Sequence, residues 1–150
     1  MIQMNGKEFI AKILGGEKDL KGIILPEYYD LTDHEEYGTM QQYLKEHIDE
    51  RIDLSDSIMI GIVATGIYLP RVIARGANLE RANLWKANLE EANLWRAYLE
   101  GSNLGEANLL GVKDFKTAKI KNARFGYAIM DPETQEIIVA ARRAMKERCL

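Results

Sequence analysis

Few side chains in this 150-residue chain have the types and spacing that catalysis requires. The histidines, His34 and His47, do not have a metal-ligand spacing, so we expect no metal site. Cys149 has no histidine near it in the sequence, and a nucleophilic role is not expected. The segment GIVATG lacks the Lys-Ser or Lys-Thr pair that completes a phosphate-binding loop. The sequence therefore predicts no catalytic residue, no cofactor and no enzymatic activity.

The tryptophans, Trp85 and Trp95, are better candidates for a functional surface. Each directly follows a leucine of a regular repeat, a position that we expect to point outward. Exposed aromatic side chains often anchor protein interfaces, although isolated ones also occur on surfaces without a role. We predict both as candidate interface residues, on opposite sides of the molecule. The partner would be another protein, and its identity is left open.

Leucine recurs at strict five-residue intervals through the middle of the chain. Each leucine has Ala or Ser two residues before it, with Asn between them except at Tyr98. Residues five apart drift by ~140° around an α-helix, and they lie on opposite faces of a straight strand. One shared interior therefore requires a corner in every repeat, which makes the chain a superhelix of very short strands. The leucines are Leu79, Leu84, Leu89, Leu94, Leu99, Leu104 and Leu109.

The string ANLERANLWKANLEEANLWRAYLEGSNLGEANLLG, residues 77–111, resembles the A-(D/N)-L-x-x motif of the pentapeptide-repeat family. The resemblance implies square coils of roughly twenty residues that stack into a right-handed quadrilateral β-helix, an all-β solenoid. Proteins that share a scaffold differ in use, so the resemblance leaves the function open.

The five-residue lattice extends beyond the clean repeats. Apolar residues continue it backwards in steps of five as far as Leu54, where Ile and Val replace the small residue, as in a wider or terminal coil. The next apolar centre after Leu109 is Phe115, six residues later, so we predict a bulge or loosened corner at Gly111–Lys113. We divide the chain into an N-terminal cap with a partial first coil and a helical excursion (1–51), a β-helix (52–130), and a C-terminal cap or dimerisation helix (131–150).

Helix signals occur in the N-terminal region. Asn5 is placed to cap a short helix over Lys7–Leu14. The string EKDLKGIILP is predicted to be a fragment of a first coil, which the excursion Tyr28–Arg51 interrupts. This excursion has apolar residues at helical spacing after a possible capping box of Thr32 and Glu35.

The C-terminal segment also favours a helix. Asp131 followed by Pro132 is typical of an N-cap and the first helical position. A hairpin turning at DPET is the alternative, because the run Ile137–Val139 is β-prone. In the helix, Ile138 and Met145 share an apolar stripe that must pack on its own coil or on a second copy. We therefore include both as candidate interface residues, with an end-to-end homodimer through the C-terminal end as one outcome.

Charge is unevenly distributed along the chain, whose net charge is −3. Residues 1–51 contain 6 Lys and Arg against 11 Asp and Glu, whereas residues 52–130 contain 10 against 8. The family resemblance implies, as the best-known activity, imitation of DNA by an acidic rod that occupies a topoisomerase. This rod is slightly positive and its repeat column is neutral Asn, so a DNA-mimicking topoisomerase-binding protein is the alternative function. The leading prediction is a non-catalytic scaffold, a protein-binding or structural module.

Other partners and locations are less favoured. Basic residues near the last coil are interrupted by Asp114 and predict a solvated face, so nucleic acid is not an expected partner. The uncharged run Ser57–Pro70 is too short to span a bilayer and contains helix-breaking residues. A single cysteine and the lack of a recognisable signal peptide predict a cytoplasmic protein. The basic residues near the last coil, mentioned above, are Lys113, Lys116, Lys119, Lys121 and Arg124.

Coils of roughly twenty residues would place outward-facing charges of opposite sign above one another. Arg71 would lie below Glu91, and Lys86 below Glu106, at the ~4.8 Å spacing of neighbouring strands. Such exposed pairs contribute a few tenths of a kcal/mol and favour a structural role over a catalytic one. The Asn column is likewise expected to support turns.

Overall fold

The structure is a computed structural model that describes residues 1–149. Parallel bridges join residues twenty apart, as in Asn78 with Tyr98 and Asn83 with Asn103. Successive bridges lie five residues apart along the chain, so each coil has four sides. Most sides are single bridges, and the regular strands of the described residues are β1 (Ile2–Gln3) and β2 (Ile23–Ile24), which pair in parallel. The architecture is a four-sided solenoid of stacked coils.

The leucines and the small residues two before them point into the solenoid. Leu89, Leu94 and Leu99 are 4%, 1% and 0% exposed, and Ala92 is 0% exposed. A single apolar cluster runs from Met4 to Ile138 through the interior. The predicted inward assignment of the leucine column is confirmed.

Each corner is a β-turn with a left-handed residue two positions after the leucine. In one turn the Ala82 N–H donates to the Leu79 carbonyl at 3.1 Å, and Arg81 between them has φ 56°. The Asn before each leucine supports its corner, because its Oδ1 accepts the N–H two residues later at 3.0 to 3.2 Å. This turn role was predicted from the sequence. These residues are Asn78, Asn83, Asn88, Asn93, Asn103 and Asn108.

Two of the early repeats exchange the sizes of their inward residues. Ile62 stands where the repeats have Ala, and Ala64 stands where they have Leu; both are buried, at 3% and 2% exposure. Val72 and Ala74 show the same exchange, each at 2% exposure. The total volume in these two repeats is thus kept close to that of the Ala–Leu pair.

Helix α1 (Gly6–Leu14) covers the N-terminal end of the core. Asn5 caps it in a capping box: Asn5 Oδ1 accepts the Glu8 N–H at 2.9 Å, and the Glu8 carboxylate accepts the Asn5 N–H at 2.8 Å. The apolar face of the helix is buried on the first coil, with Phe9 and Ile10 at 1% and 0% exposure.

The fragment EKDLKGIILP forms part of a first coil. Bridges join Asp19 to Asp53, Ile24 to Ile58 and Asp30 to Val63, so three sides of this coil pair with the next one. Leu31 belongs to it, since its side chain is fully buried. The excursion therefore starts after Leu31, because bridge pairing continues past the predicted start at Tyr28.

Helix α2 (Tyr37–Glu46) takes the place of the missing fourth side. Tyr37 Oη donates to the Thr65 carbonyl at 2.9 Å, Gln41 Nε2 donates to the Gly66 carbonyl at 2.5 Å, and Gln41 Oε1 accepts the Tyr68 N–H at 3.0 Å. Burial, with a contribution from nearby negative charge, raises the pKa of Tyr37. Side chains thus pair the backbone edge that a strand would have paired.

The predicted capping box of this helix is wrong. The Thr32 hydroxyl donates to Asp30 Oδ1 at 2.5 Å, which holds Thr32 in the preceding turn. The N-cap is Glu36, which makes no side-chain capping bond.

The last coil contains one extra residue. Asn93 pairs with Lys113, twenty residues away, but Tyr98 pairs with Lys119, twenty-one away. The extra residue therefore follows Lys113, where Asp114 is left-handed and Phe115–Thr117 forms a 3₁₀ turn. The prediction of a bulge at Gly111–Lys113 is wrong, because those residues still follow the regular register.

Helix α3 (Pro132–Arg148) lies across the C-terminal coil, and the DPET segment starts this helix rather than a hairpin turn. Asp131 Oδ1 accepts the Thr134 N–H at 3.1 Å, and Asp131 Oδ2 accepts the Gly111 N–H at 3.0 Å. These bonds, with that to Thr134 first, hold the pKa of Asp131 below its ordinary value. One carboxylate thus joins the helix to the last coil.

Replacing Asp131 should change how stability depends on acid. A carboxyl group with a lowered folded-state pKa stabilises the protein above its ordinary pKa of about 3.9, and this contribution is lost as the pH falls through the folded value. We expect Asp131→Asn, which keeps an N-cap oxygen, to flatten the pH dependence of unfolding below about pH 4. Asp131→Ala should lose about 1 kcal/mol near neutral pH. Urea unfolding across the acidic range measures both, and identical profiles for wild type and Asp131→Asn would contradict the assignment.

Candidate partner-binding surface

The predicted interface tryptophans lie on opposite edges of the solenoid. Trp85 and Trp95 both occupy the first corner position after a leucine, half a coil apart. The carbonyl of Trp85 accepts the Gly66 N–H at 2.7 Å, and that of Trp95 accepts the Gly76 N–H at 2.8 Å. Trp85 is 36% exposed, and Trp95 is partly buried. The structure does not bring the two indoles together.

Trp95 is flanked by two arginines. The guanidinium carbon of Arg75, one coil below, is 4.8 Å from the indole centroid, and that of Arg96, the next residue, is 4.4 Å away. The Arg96 N–H donates to Thr117 Oγ1 at 2.7 Å, which fixes the next coil above this corner. A guanidinium over an indole gains a cation–π attraction of about 0.5–1 kcal/mol at an exposed site. The indole therefore holds two cations in place.

Further cations follow on the next coil. Lys116 precedes Thr117 and is exposed, and the Lys119 ammonium lies 4.3 Å from the ring centroid of Tyr98. Residues of three successive coils thus form one basic, aromatic surface. We call it the Trp95 edge; it consists of Arg75, Trp95, Arg96, Lys116 and Lys119.

The cations of the Trp95 edge have no ion-pair partner among residues 1–149. The ion pairs there involve other basic residues, for example Lys18 with Glu50 at 2.8 Å and Lys86 with Glu106 at 3.6 Å. The charge of the Trp95 edge is therefore available to a ligand.

The Trp85 edge provides an internal comparison. The Lys86 ammonium lies 4.1 Å from the Trp85 ring centroid, and the same ammonium pairs with Glu106. Gly105 packs against the indole, since a Cβ there would lie 3.2 Å from Trp85 Cδ1. This edge also has an aromatic side chain and a cation, but the cation is neutralised.

One of the two predicted charge ladders forms. Lys86 pairs with Glu106 as predicted. Arg71 instead donates to the Ile48 carbonyl at 2.5 Å and approaches Asp49 at 3.4 Å. The prediction of an Arg71–Glu91 pair is wrong, because the chain after α2 places these acceptors beside Arg71.

The C-terminal candidates Ile138 and Met145 face the last coil of their own chain. Ile138 is 5% exposed, whereas Met145 is half-buried. The same end has exposed apolar side chains that the sequence analysis did not identify: Tyr127 at 93%, Ile129 at 55% and Val139 at 40%. Tyr127 and Ile129 occupy outward positions of the five-residue repeat that continues after Phe115, and this spacing was the signal that could have identified them.

The residues considered for catalysis have structural surroundings. His34 Nδ1 accepts the Glu36 N–H at 3.2 Å, and the His47 ring stacks on Tyr43 with centroids 3.9 Å apart. Cys149 is exposed. Within residues 1–149 no group of three or more His, Cys, Asp and Glu side chains is placed to hold a metal ion. No helix in this part of the chain is long and apolar enough to cross a membrane.

The stacked register defines the class of protein as a β-solenoid with a five-residue repeat. Residues 87–126 match the family model for pentapeptide repeats in 8 copies. This part of the chain therefore consists of pentapeptide repeats, and such repeats imply a right-handed β-helix. No curated protein matches the chain significantly.

Solved structures of pentapeptide-repeat proteins resemble the chain. HetL, involved in heterocyst differentiation regulation in the cyanobacterium Nostoc sp. strain PCC 7120, is 23% identical over 74% of this chain, with a TM-score of 0.35. The chain spans only 38% of HetL. Rfr23 from the cyanobacterium Cyanothece 51142 is 21% identical over 87% of this chain and 88% of its own, with a TM-score of 0.29. QnrB1, a plasmid-mediated fluoroquinolone resistance protein, is 15% identical over 82% of each chain, with a TM-score of 0.21.

Proposed function

We propose that this protein is a non-catalytic pentapeptide-repeat scaffold that binds another protein through the Trp95 edge. The observation that carries the proposal is that the guanidinium groups of Arg75 and Arg96 both lie over the indole of Trp95, with no acidic partner for either in residues 1–149. Trp and Arg are the side chains most enriched among residues that dominate interface energy.

The repeat itself supports a scaffold role. Two residues in each repeat fill the core, and the Asn column is engaged in the corner turns. The polar column is thus committed to structure, and binding is left to the outward corner residues. The division into an N-terminal cap (1–51), a β-helix (52–130) and a C-terminal cap or dimerisation helix (131–150) is part of this proposal, as is a cytoplasmic location.

The alternative, a DNA-mimicking topoisomerase-binding protein, is less well supported. Mimicry of DNA requires a line of negative charge in place of the phosphates. The repeat column here is neutral, and the Trp95 edge is basic. A homodimer through the C-terminal end stays a prediction; Tyr127, Ile129 and Val139 are the exposed apolar residues that it would bury.

Site-specific photo-crosslinking tests the proposed surface. A benzophenone amino acid at Lys116 reports on the Trp95 edge, and the same group at Lys86 reports on the opposite edge as the matched control. In extracts of the source cell we expect a protein adduct from position 116, absent from position 86 and lost when Trp95→Ala is added. No adduct at position 116, or equal adducts at both positions, would contradict the proposal. Inhibition of topoisomerase supercoiling at micromolar concentration would favour the alternative.

A further inference from the structure

We infer that the Trp95 edge binds a short acidic segment of the partner, in which Asp or Glu carboxylates meet the guanidinium and ammonium groups of the edge. The inference rests on the proposed protein-binding function and adds the chemistry of the partner to it.

The cations of this edge are positioned before a ligand arrives. The indole of Trp95 holds the guanidinium groups of Arg75 and Arg96, which belong to neighbouring coils. An arginine stacked on an aromatic ring keeps its N–H groups available, and a planar guanidinium matches a carboxylate with two parallel hydrogen bonds. Less side-chain freedom is lost on binding when the donors are already held.

The surrounding charge also favours an acidic ligand. Lys116 and Lys119 continue the edge on the next coil, and residues 111–150 contain 9 Lys and Arg against 5 Asp and Glu. Acidic residues border the edge at Asp56 below and Asp114 above, and neither pairs with its cations within the described residues. A ligand carboxylate would supply the missing counter-charge.

The size of the edge favours a peptide over a nucleic acid. Its basic residues lie on three coils, so they span about 10 Å along the axis at the strand spacing of ~4.8 Å. A DNA-binding protein that contacts about 6–10 phosphates needs more cations than the four of this edge. The N-terminal residues 1–51, with 11 acidic and 6 basic side chains, would repel a long polyanion. A short peptide is screened from that end because the Debye length is about 8 Å at physiological salt.

Fluorescence anisotropy with a labelled oligoglutamate of about four residues tests the inference, since an extended peptide of this length spans about 13 Å and covers an edge of this size. We expect Arg75→Gln with Arg96→Gln to weaken binding about tenfold or more, and Lys86→Gln on the opposite edge to change it less than about twofold. Arg75→Lys with Arg96→Lys should fall between them, because the charge stays while the paired hydrogen bonds are lost. Melting curves confirm that these surface variants are folded.

A second readout reports on the indole itself. The chain has two tryptophans, so Trp85→Phe leaves Trp95 as the only one. We expect oligoglutamate to change the emission of Trp95 in this variant, because the guanidinium groups over the ring gain carboxylate partners. The Trp95→Phe variant, which keeps Trp85, should show no change.

Three results would overturn the inference: no binding of oligoglutamate, binding that the double Gln variant leaves unchanged, or tighter binding of oligodeoxythymidine through the same arginines. The last would indicate a nucleic acid. These outcomes are separable from failure of the proposed function. A partner crosslinked at position 116 without an acidic segment would overturn the inference alone, whereas tight peptide binding without any cellular adduct would contradict the proposed function.

Discussion

Leu89→Lys should abolish cooperative folding near room temperature. The Leu89 side chain is 4% exposed and lies between coils in a purely apolar column. Burying an ammonium group without a partner there would remove several kcal/mol, about as much as the whole stability of a typical domain of 5–15 kcal/mol. Circular dichroism and thermal unfolding measure the loss.

The neighbouring residue Glu90 provides the control for this substitution. Glu90 is exposed, and its carboxylate accepts one hydrogen bond from Asn108 at 3.2 Å. Glu90→Lys introduces the same charge one residue away, and we expect a change within about 0.5 kcal/mol. Equal melting temperatures for the two variants would be incompatible with an inward leucine column.

Ile62→Ala should destabilise the protein by about 2–4 kcal/mol, as large-to-small changes at buried positions do. Ile62 carries the volume that Leu carries in the regular repeats, because its partner Ala64 is small. An apolar cavity of about 30 Å³ already lies beside this coil and is lined by both residues. The neighbouring side chains are therefore poorly placed to fill the additional cavity that Ile62→Ala would leave.

The reciprocal change should restore most of this loss. The double variant Ile62→Ala with Ala64→Leu recreates the Ala–Leu pair of the regular repeats, and residues in contact couple in double-mutant cycles by about 0.5–3 kcal/mol. Ala64→Leu alone should be unfavourable through overpacking, by about 1–3 kcal/mol. Additive effects measured in urea would show that the two inward positions do not share volume.

The five-residue period predicted the solenoid because it is incompatible with both common alternatives. Once Leu and Ala must share one interior, a corner in every repeat follows. The resemblance to pentapeptide-repeat proteins implied a coil of roughly twenty residues, and the bridges between residues twenty apart agree with it. The period also contained the main feature of the binding surface. A step of twenty residues from Trp95 leads to Arg75, so their contact was readable from the sequence, although it was not recognised.

Features that depend on breaks in the lattice were less predictable. The extra residue after Lys113 could not be placed, because Gly111 has the conformational freedom that a bulge requires, yet the irregularity occurs at left-handed Asp114. Likewise, helix signals alone do not show that Gln41 pairs with a coil edge. Long-range contacts decide both cases, and local propensity contains no information about them.

Helix α2 replaces one side of the first coil, and this irregular end limits how the length of the solenoid can change. Both ends of the stack attach to irregular coils, whereas the coils between them repeat every twenty residues. The length of the solenoid can therefore change by insertion of whole coils between its ends, because each end then still packs on a coil of the same register. Five added residues would instead rotate one end by a quarter turn relative to the other. The relative orientation of the acidic and basic ends would then differ, so selection acting on both ends would allow changes of length only in units of a full coil.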